Sequence, residues 1–159
     1  MMVLFISIVL GYISATLSEY LLHRLYLHKT NDEDHVVYHH IDYNSREHYV
    51  VSTTTYSEVA SSVSYILLTA SLTFPVAILG HLIGIVHLPL FMVVGVGYAF
   101  LLEIMHVHYH KGTQNVLTSS KYFKKLAFHH YIHHMYYDKN FGIGSRLWDF
   151  ILRTYRTNE

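Results

Sequence analysis

A long stretch of this sequence, from Val59 to Leu102, contains no Asp, Glu, Lys or Arg. About 20 apolar residues suffice to cross the hydrocarbon core of a bilayer. The stretch is therefore long enough for two membrane spans, which we place at about 59–79 and 85–102. Residues that favour turns cluster near its middle, and they are Pro75, Gly80, Gly84 and Pro89. They predict a tight turn that makes the two spans a hairpin.

A further apolar stretch begins the chain and runs from Met1 to Leu22, with Glu19 as its only charged side chain. Its length predicts a third span at about 2–22. No basic residue precedes the apolar run, and no small-residue cleavage site follows it before His23. We therefore expect a span of the mature protein rather than a cleaved signal peptide.

The composition also favours a membrane protein, because charged residues make up 14% of the chain and hydrophobic residues 52%. Soluble domains have about 25% charged residues. We predict an all-α integral membrane bundle with about three transmembrane spans, one N-terminal span plus the hairpin, in a single domain over 1–159. The 11 Lys and Arg are balanced by 11 Asp and Glu, which argues against nucleic acid as a partner. The chain has no Cys, which excludes thiolate metal sites.

The basic residues predict the orientation in the membrane. All Lys and Arg lie in two regions, 24–46 and 111–156. By the positive-inside rule both regions are cytoplasmic, and the N-terminus and the hairpin turn lie on the far side. Two intervening spans bring both regions to one membrane face. There we expect a histidine-rich helical cap formed by 23–50 and 106–156, with a cytoplasmic C-terminus.

The sequence contains 15 His, an excess that calls for a chemical explanation because imidazole is the commonest metal ligand in proteins. Most of them form four clusters on the predicted cytoplasmic face: His23 and His28; His35, His39 and His40; His106, His108 and His110; and His129, His130, His133 and His134. His81 and His87 lie at the opposite end of the hairpin, and we interpret them as turn residues.

Helical spacing brings members of a cluster together, because residues three or four apart share a helix face. The sets that converge in this way are His106 with His110, His35 with His39, and His130 with His133 and His134. His108 and His129 lie on other faces of their helices and are expected not to bind metal. His23 and His28 are about 140° apart on an ideal helix. That angle leaves two alternatives, either ligation of two different metals or a helix that ends between the two residues.

Clustered neutral imidazoles can supply a full coordination shell for a first-row metal without thiolates. The expected ligands are His23, His28, His35, His39, His40, His106, His110, His130, His133 and His134. Ten histidines are too many for one ion, so we expect two metals. A redox pair suits iron better than zinc, although ligand type alone does not separate the two and zinc stays open for a purified sample.

Two carboxylates and the C-terminal stretch leave further alternatives open. Glu19 precedes His23 by four residues and Glu103 precedes His106 by three, so each shares the face of its histidine. Either carboxylate supports that ligand through a hydrogen bond, or its side chain reaches from the helix end to water. The stretch 141–155 is expected to be either a helix in the membrane interface or a helix docked on the bundle.

The order of the histidines resembles the four histidine boxes of the fatty acid hydroxylase/sterol desaturase superfamily of membrane-bound, non-haem di-metal oxidoreductases. The boxes are His23 and His28; His35, His39 and His40; His106 and His110; and His130, His133 and His134. The ending LWDFILRTYR, from Leu147 to Arg156, is similar to the segment that closes many members.

Two features depart from a simple match to one branch of that superfamily. Three residues separate His35 from His39, where two are usual, and the sequence leaves open whether His35 or His108 is a ligand. The short gap between His28 and His35 is similar to the compact carotenoid hydroxylases, whereas the tail is similar to the fatty acid and sterol branches. The sequence therefore does not decide the substrate.

The resemblance implies a centre of two iron ions that uses dioxygen as co-substrate to hydroxylate or desaturate a C–H bond of a lipid from the bilayer, such as a fatty acyl chain, sterol or carotenoid. No Gly-rich dinucleotide fingerprint occurs, so we expect electrons from a separate protein, either a haem carrier or a ferredoxin type with its reductase. The membrane is expected to be the endoplasmic reticulum in a eukaryote and the cytoplasmic membrane in a bacterium.

Tyr38, Tyr109 and Tyr131 lie inside or beside the boxes. They are candidates either to order an oxygen site or to anchor the protein at the membrane interface. The alternative function is a histidine-rich membrane protein that binds or transports metal. Transport would call for ionisable groups at mid-membrane depth.

Overall fold

The structure is a computed structural model that describes residues 1–29, 33–40, 43, 50, 63–112 and 114–157, with the backbone alone at 33–34, 37–38 and 63–64. Several predicted features lie outside the described residues. They are the start of the second predicted span at 59–62, the cap residues 30–32, 41–42, 44–49 and 113, and the side chain of Tyr38.

All secondary structure in the described ranges is helical, which confirms the predicted fold class. The α-helices are α1 (Met2–Leu21), α2 (Val63–Leu82), α3 (Leu88–Lys111), α4 (Val116–Ser119), α5 (Lys121–Met135) and α6 (Leu147–Ile151). Two further helical segments are of the wider π type, the first at Leu22–Leu27 and the second at Glu33–His40.

Three helical stretches of the described chain are long and apolar enough to cross a membrane, namely Met2–Leu27, Tyr65–Leu82 and Leu88–Lys111. The last of these extends well past the predicted end at residue 102. The helix continues without a break to Lys111. It ends at Gly112, which adopts a left-handed conformation with φ of 63°. The third histidine box is therefore carried on the end of a spanning helix.

The hairpin turn occupies 83–87, three residues later than the predicted spans at 59–79 and 85–102 place it. Pro75 lies inside α2, where a membrane helix tolerates it because neighbouring groups satisfy the freed carbonyl. Gly84 makes the turn, with φ of 73°. His81 lies in the last turn of α2, whereas His87 caps α3 by accepting a hydrogen bond from the Leu90 N–H at 3.3 Å.

The π segments change which histidines share a face. The His28 N–H donates to the His23 carbonyl at 3.2 Å, a bond between residues five apart. A helix of this type brings residues five apart onto the same side, whereas an α-helix aligns those three or four apart. Of the two sequence alternatives for His23 and His28, the helix end is the one observed, because the π segment ends at Leu27. The bond between residues five apart nevertheless places both side chains on one side.

The three spanning helices pack into one bundle whose outer surface is apolar. Gly11 of α1 lies so close to α3 that an added Cβ would be 3.0 Å from the Phe91 carbonyl oxygen. Small residues allow such close approach of helices in a membrane. The His87 N–H donates to Ser7 Oγ at 2.7 Å and ties the hairpin turn to the start of α1. Large apolar side chains point outward along the spans, among them Phe5, Ile8, Leu67, Phe74, Leu79, Val93, Phe100 and Leu101.

The C-terminal stretch 141–155 does not form one amphipathic helix. Phe141–Ser145 is buried and not helical, and only α6 is helical in this part of the chain. The Trp148 indole N–H donates to Thr16 Oγ1 on α1 at 3.0 Å, and Asp149 is completely buried. Of the two alternatives, the structure therefore favours docking on the bundle over a helix in the membrane interface.

The charge partition predicts the membrane topology. Reporter groups inserted after Lys121 and in the 83–87 turn should lie on opposite sides of the membrane, with the Lys121 reporter cytoplasmic. α3 alone separates the two ends by about 36 Å, at about 1.5 Å per residue, which is enough to span the hydrocarbon core. Cysteine accessibility in intact cells measures this directly because the chain has no Cys of its own. Labelling of both positions from the same side would contradict the arrangement.

Candidate metal centre

Four helical segments supply the predicted histidines to one place in the fold. The first π segment carries His23 and ends at His28, and the second carries the His35, His39 and His40 side chains. The end of α3 carries His106 and His110. The last two turns of α5 carry His130, His133 and His134. These ends meet at the side of the bundle away from the hairpin turn.

The ten histidines form two groups of five, and within each group one ring nitrogen of every histidine lies within 4.8 Å of the others. The first histidine group is His23, His28, His35, His40 and His133. The second histidine group is His39, His106, His110, His130 and His134. Imidazole nitrogens about 2.1 Å from a shared ion lie at most about 4.2 Å apart, so both groups are close to the size of a coordination shell.

The division between the groups differs from what α-helical phase predicts. His35 pairs with His40, five residues away in the second π segment, while His39 belongs to the second group. His133 and His134 are neighbours in sequence and also belong to different groups. The expectation that His35 and His39 share a site is therefore wrong, because this segment has the wider π spacing. The expectation that His133 converges with His130 and His134 is also wrong, because the His133 ring is bonded to the Lys139 carbonyl and belongs to the first group.

The second group has a nitrogen geometry that hydrogen bonds alone do not explain. His130 Nε2 lies 2.9 Å from the corresponding atom of His106 and 3.1 Å from those of His110 and His134. A ring nitrogen of a neutral imidazole carries either one proton or one lone pair, so it forms one such bond. Three nitrogens converging on a fourth fit a shared cation.

The His39 side chain also fits a site for a cation. Its ring is buried, and within the described residues neither of its ring nitrogens has a hydrogen-bond partner. Buried polar atoms without partners are rare, because losing contact with water costs about 1–3 kcal/mol. A metal ion bound by one of these nitrogens would remove that cost. The residues present therefore fit a metal centre.

Backbone carbonyls set the orientation of two rings in the first group. His23 Nδ1 donates to the Phe141 carbonyl at 2.5 Å, and His133 Nδ1 donates to the Lys139 carbonyl at 2.6 Å. A carbonyl only accepts, so the proton of each ring is on Nδ1. Each Nε2 is left with a lone pair, which is the form that binds a metal. His35 Nε2 lies 3.0 Å from His23 Nε2 and 3.3 Å from His40 Nε2.

Burial keeps the rings outside the spans in the neutral form. Loss of water contact lowers the pKa of His28 to about 4 and that of His133 well below its usual value. The pKa shifts in the same direction, first from burial and then from neighbouring histidines, for His35, His39, His40, His130 and His134. Neutral imidazoles bind a metal without first releasing a proton.

The two groups touch each other but differ in access from outside. The His40 ring of the first group stacks on the His134 ring of the second, with 4.3 Å between ring centroids. All five rings of the second group are buried, whereas His28 of the first is half-buried. His28 borders an open pocket of about 570 Å³ whose wall includes four basic side chains, Arg24, Lys29, Lys139 and Arg153. The first group is therefore reached from outside the spans.

Glu19 has neither of the roles that the sequence suggested. It is completely buried, so it does not reach water. Its two oxygens accept from the Ile143 N–H at 2.6 Å and from the Tyr98 hydroxyl at 3.0 Å rather than from His23. Glu103 is also buried, which excludes the alternative in which its side chain extends to water.

The tyrosines near the boxes have packing roles where the structure describes them. The Tyr109 side chain is buried, and its hydroxyl donates to the Ile143 carbonyl at 3.2 Å. Tyr131 packs against the buried apolar core. A role of either residue in ordering an oxygen site stays a prediction.

Residues outside the predicted ligand set also take part in the site. His108 and His129 belong to neither histidine group. His129 is nevertheless buried, and its Nε2 lies 2.9 Å from Asp149 Oδ2. Sequence reasoning missed the role of Asp149. The LWDF motif containing it was visible as part of the family-like ending, but nothing local indicated a partner on α5.

A helical bundle with three candidate spans and two buried groups of five histidines defines an integral membrane protein with the ligands of a metal centre. The chain belongs to the fatty acid hydroxylase family, whose model matches residues 8–154. Membership implies an oxidoreductase of the hydroxylase and desaturase type. Searches of curated proteins and of solved structures found no match.

The two groups predict two metal ions per chain. Metal analysis of detergent-purified, iron-loaded protein should give about two ions, and the His106→Ala/His110→Ala double variant should retain about one. Those substitutions remove two of five ligands from the second group and none from the first. His108→Ala is the matched control on the same helix and should retain both ions. A reproducible value of one or none for the unaltered protein would exclude a two-metal centre.

Proposed function

We propose that this protein is a dioxygen-dependent oxidoreductase that hydroxylates or desaturates a C–H bond of a lipid, such as a fatty acyl chain, a sterol or a carotenoid. The observation that carries the proposal is the pair of adjoining histidine groups in a chain of the fatty acid hydroxylase family. We propose that the groups bind two iron ions, one each. Zinc also binds imidazole but has no redox chemistry, so a zinc-loaded sample would be inactive.

The histidines and the peptide segments behind them have distinct roles in this proposal. When bound, iron supplies the activation of dioxygen. The rings hold the ions in the neutral state that burial maintains, and the Phe141 and Lys139 carbonyls keep His23 and His133 turned with Nε2 inward. The closed packing around the second group keeps water away from the centre.

The reaction requires electrons from outside this chain. Hydroxylation places one oxygen atom of dioxygen in the C–H bond and releases the other as water, which consumes two electrons and two protons. Desaturation consumes the same two electrons, and both oxygen atoms leave as water. We propose a separate carrier protein, either a haem carrier or a ferredoxin with its reductase. We propose that the carrier docks at the pocket beside His28, because His28 is the half-buried member of the first group.

The lipid is proposed to enter from the bilayer. An apolar groove of about 300 Å³ lies on the outer surface beside the first π segment, and its lining is Leu21, Leu22, Leu25, Tyr26 and Leu72. Leu22 directly precedes His23 of the first group. We propose that the histidine groups and the C-terminus face the cytoplasm, in the endoplasmic reticulum of a eukaryote or the cytoplasmic membrane of a bacterium.

Lipid profiling of cells with and without the protein tests the proposal. The intact protein should produce hydroxylated or desaturated lipids that are missing from control cells. His110→Ala should abolish at least about nine-tenths of this product, because it opens the coordination shell of the second group. His108→Ala, two residues away on the same helix, should retain most of it.

The His133→Ala/His134→Ala double variant removes one ligand from each group and should be inactive. An unchanged lipid profile with the intact protein, under conditions that supply iron and an electron carrier, would contradict oxidation of cellular lipids. If that result came with a change in cellular metal content, it would favour the metal-binding or transport alternative.

A further inference from the structure

The segment from Lys139 to Ile143 lies directly behind the first histidine group. Its carbonyls at Lys139 and Phe141 accept from the Nδ1 atoms of His133 and His23. Both rings belong to the same group of five. One short peptide segment therefore fixes the tautomer and the direction of two ligands that come from different helices.

Asp149 holds this segment from the side away from the rings. Its Oδ1 accepts from the Phe141 N–H at 2.8 Å, and its Oδ2 accepts from the Gly142 N–H at 2.9 Å. The Thr154 hydroxyl donates to Oδ1 at 2.7 Å, and His129 Nε2 lies 2.9 Å from Oδ2. The carboxylate is completely buried, so these contacts account for its polar atoms without water.

Asn140 lies between the two carbonyls, and its side chain fixes the backbone conformation there. Its φ is 56°, a left-handed conformation that Asn tolerates better than most residues. Its side-chain amide donates to the carbonyls of His129 and Arg156 at 3.2 and 2.9 Å, and its oxygen accepts from the Arg156 N–H at 2.7 Å. These bonds fix the turn between the Lys139 and Phe141 carbonyls, which accept from the two rings of the first group.

We propose that Asp149 is a positioning residue for one metal site only, the first histidine group, and that it acts through the peptide segment 139–142. The inference rests on the proposed two-metal centre. In the second group, His106 Nδ1 has no hydrogen-bond partner within the described residues, so its ring is not held in this way. Loss of partners behind metal ligands typically lowers metal affinity about 10–100-fold.

The test is a cobalt(II) titration of metal-free protein in detergent, followed by the visible absorption of bound cobalt. The unaltered protein should show two binding steps. His28→Ala assigns the step of the first group, and His110→Ala assigns that of the second. Asp149→Asn should weaken the first group's step about 10–100-fold and leave the second within about twofold. The reason is that the NH₂ group of the new Asn side chain is a donor, so it cannot accept from the Phe141 or Gly142 N–H group that it faces.

Trp148→Phe is the matched control, because it loosens the same short helix by removing the bond to Thr16 without touching the peptide segment. It should leave both steps unchanged. Thr154→Val is the milder variant for the case in which Asp149→Asn does not fold. It removes one donor to the carboxylate and should weaken the same step by a smaller factor.

Equal weakening of both steps by Asp149→Asn or Thr154→Val, or no weakening of either, would overturn the assignment. So would an equal effect of Trp148→Phe on the first group's step. Lipid oxidation is not part of this measurement. A protein that binds two cobalt ions with the expected selectivity but oxidises no lipid would contradict the proposed activity and support the role of Asp149.

Discussion

Ten imidazoles, nine of them buried, face two common centres, and the architecture around them follows from that arrangement. Buried ring nitrogens need partners, and those that face one another in each group cannot all satisfy each other by hydrogen bonds. A bound cation would resolve this conflict at the centre, and the protein has to resolve it at the periphery. The spans, the π segments and the C-terminal loop can each be understood as ways to bring the rings together and hold their outer nitrogens.

The π segments provide the local part of that solution. In each of them two histidines five residues apart belong to the first group, His23 with His28 and His35 with His40. π-helical segments are rare and are frequently found at functional sites. In the second π segment, the wider turn also places His39 in the second group while His35 and His40 belong to the first. One chain segment thereby supplies both centres and places their rings in contact.

Two buried carboxylates provide the long-range part. Glu19 accepts from the Ile143 N–H and Asp149 from those of Phe141 and Gly142, so three consecutive N–H groups of the loop are satisfied by side chains. Leaving one of them buried without a partner would cost about 1–3 kcal/mol. The loop can therefore lie inside the protein and turn its carbonyls toward His23 and His133.

The three apolar spans, the clustering of the histidines at one end of the bundle and the resemblance to the family could be predicted from the sequence, because hydropathy and spacing are local properties of the chain. So could the ten histidines that the fold brings together; that they bind metal stays a prediction. The division of the ten between two groups, and the contacts of Glu19, His129 and Asp149, depend on the packing of segments far apart in the chain. His23 and its carbonyl partner Phe141 are 118 residues apart, and no local pattern encodes a hydrogen bond over that separation.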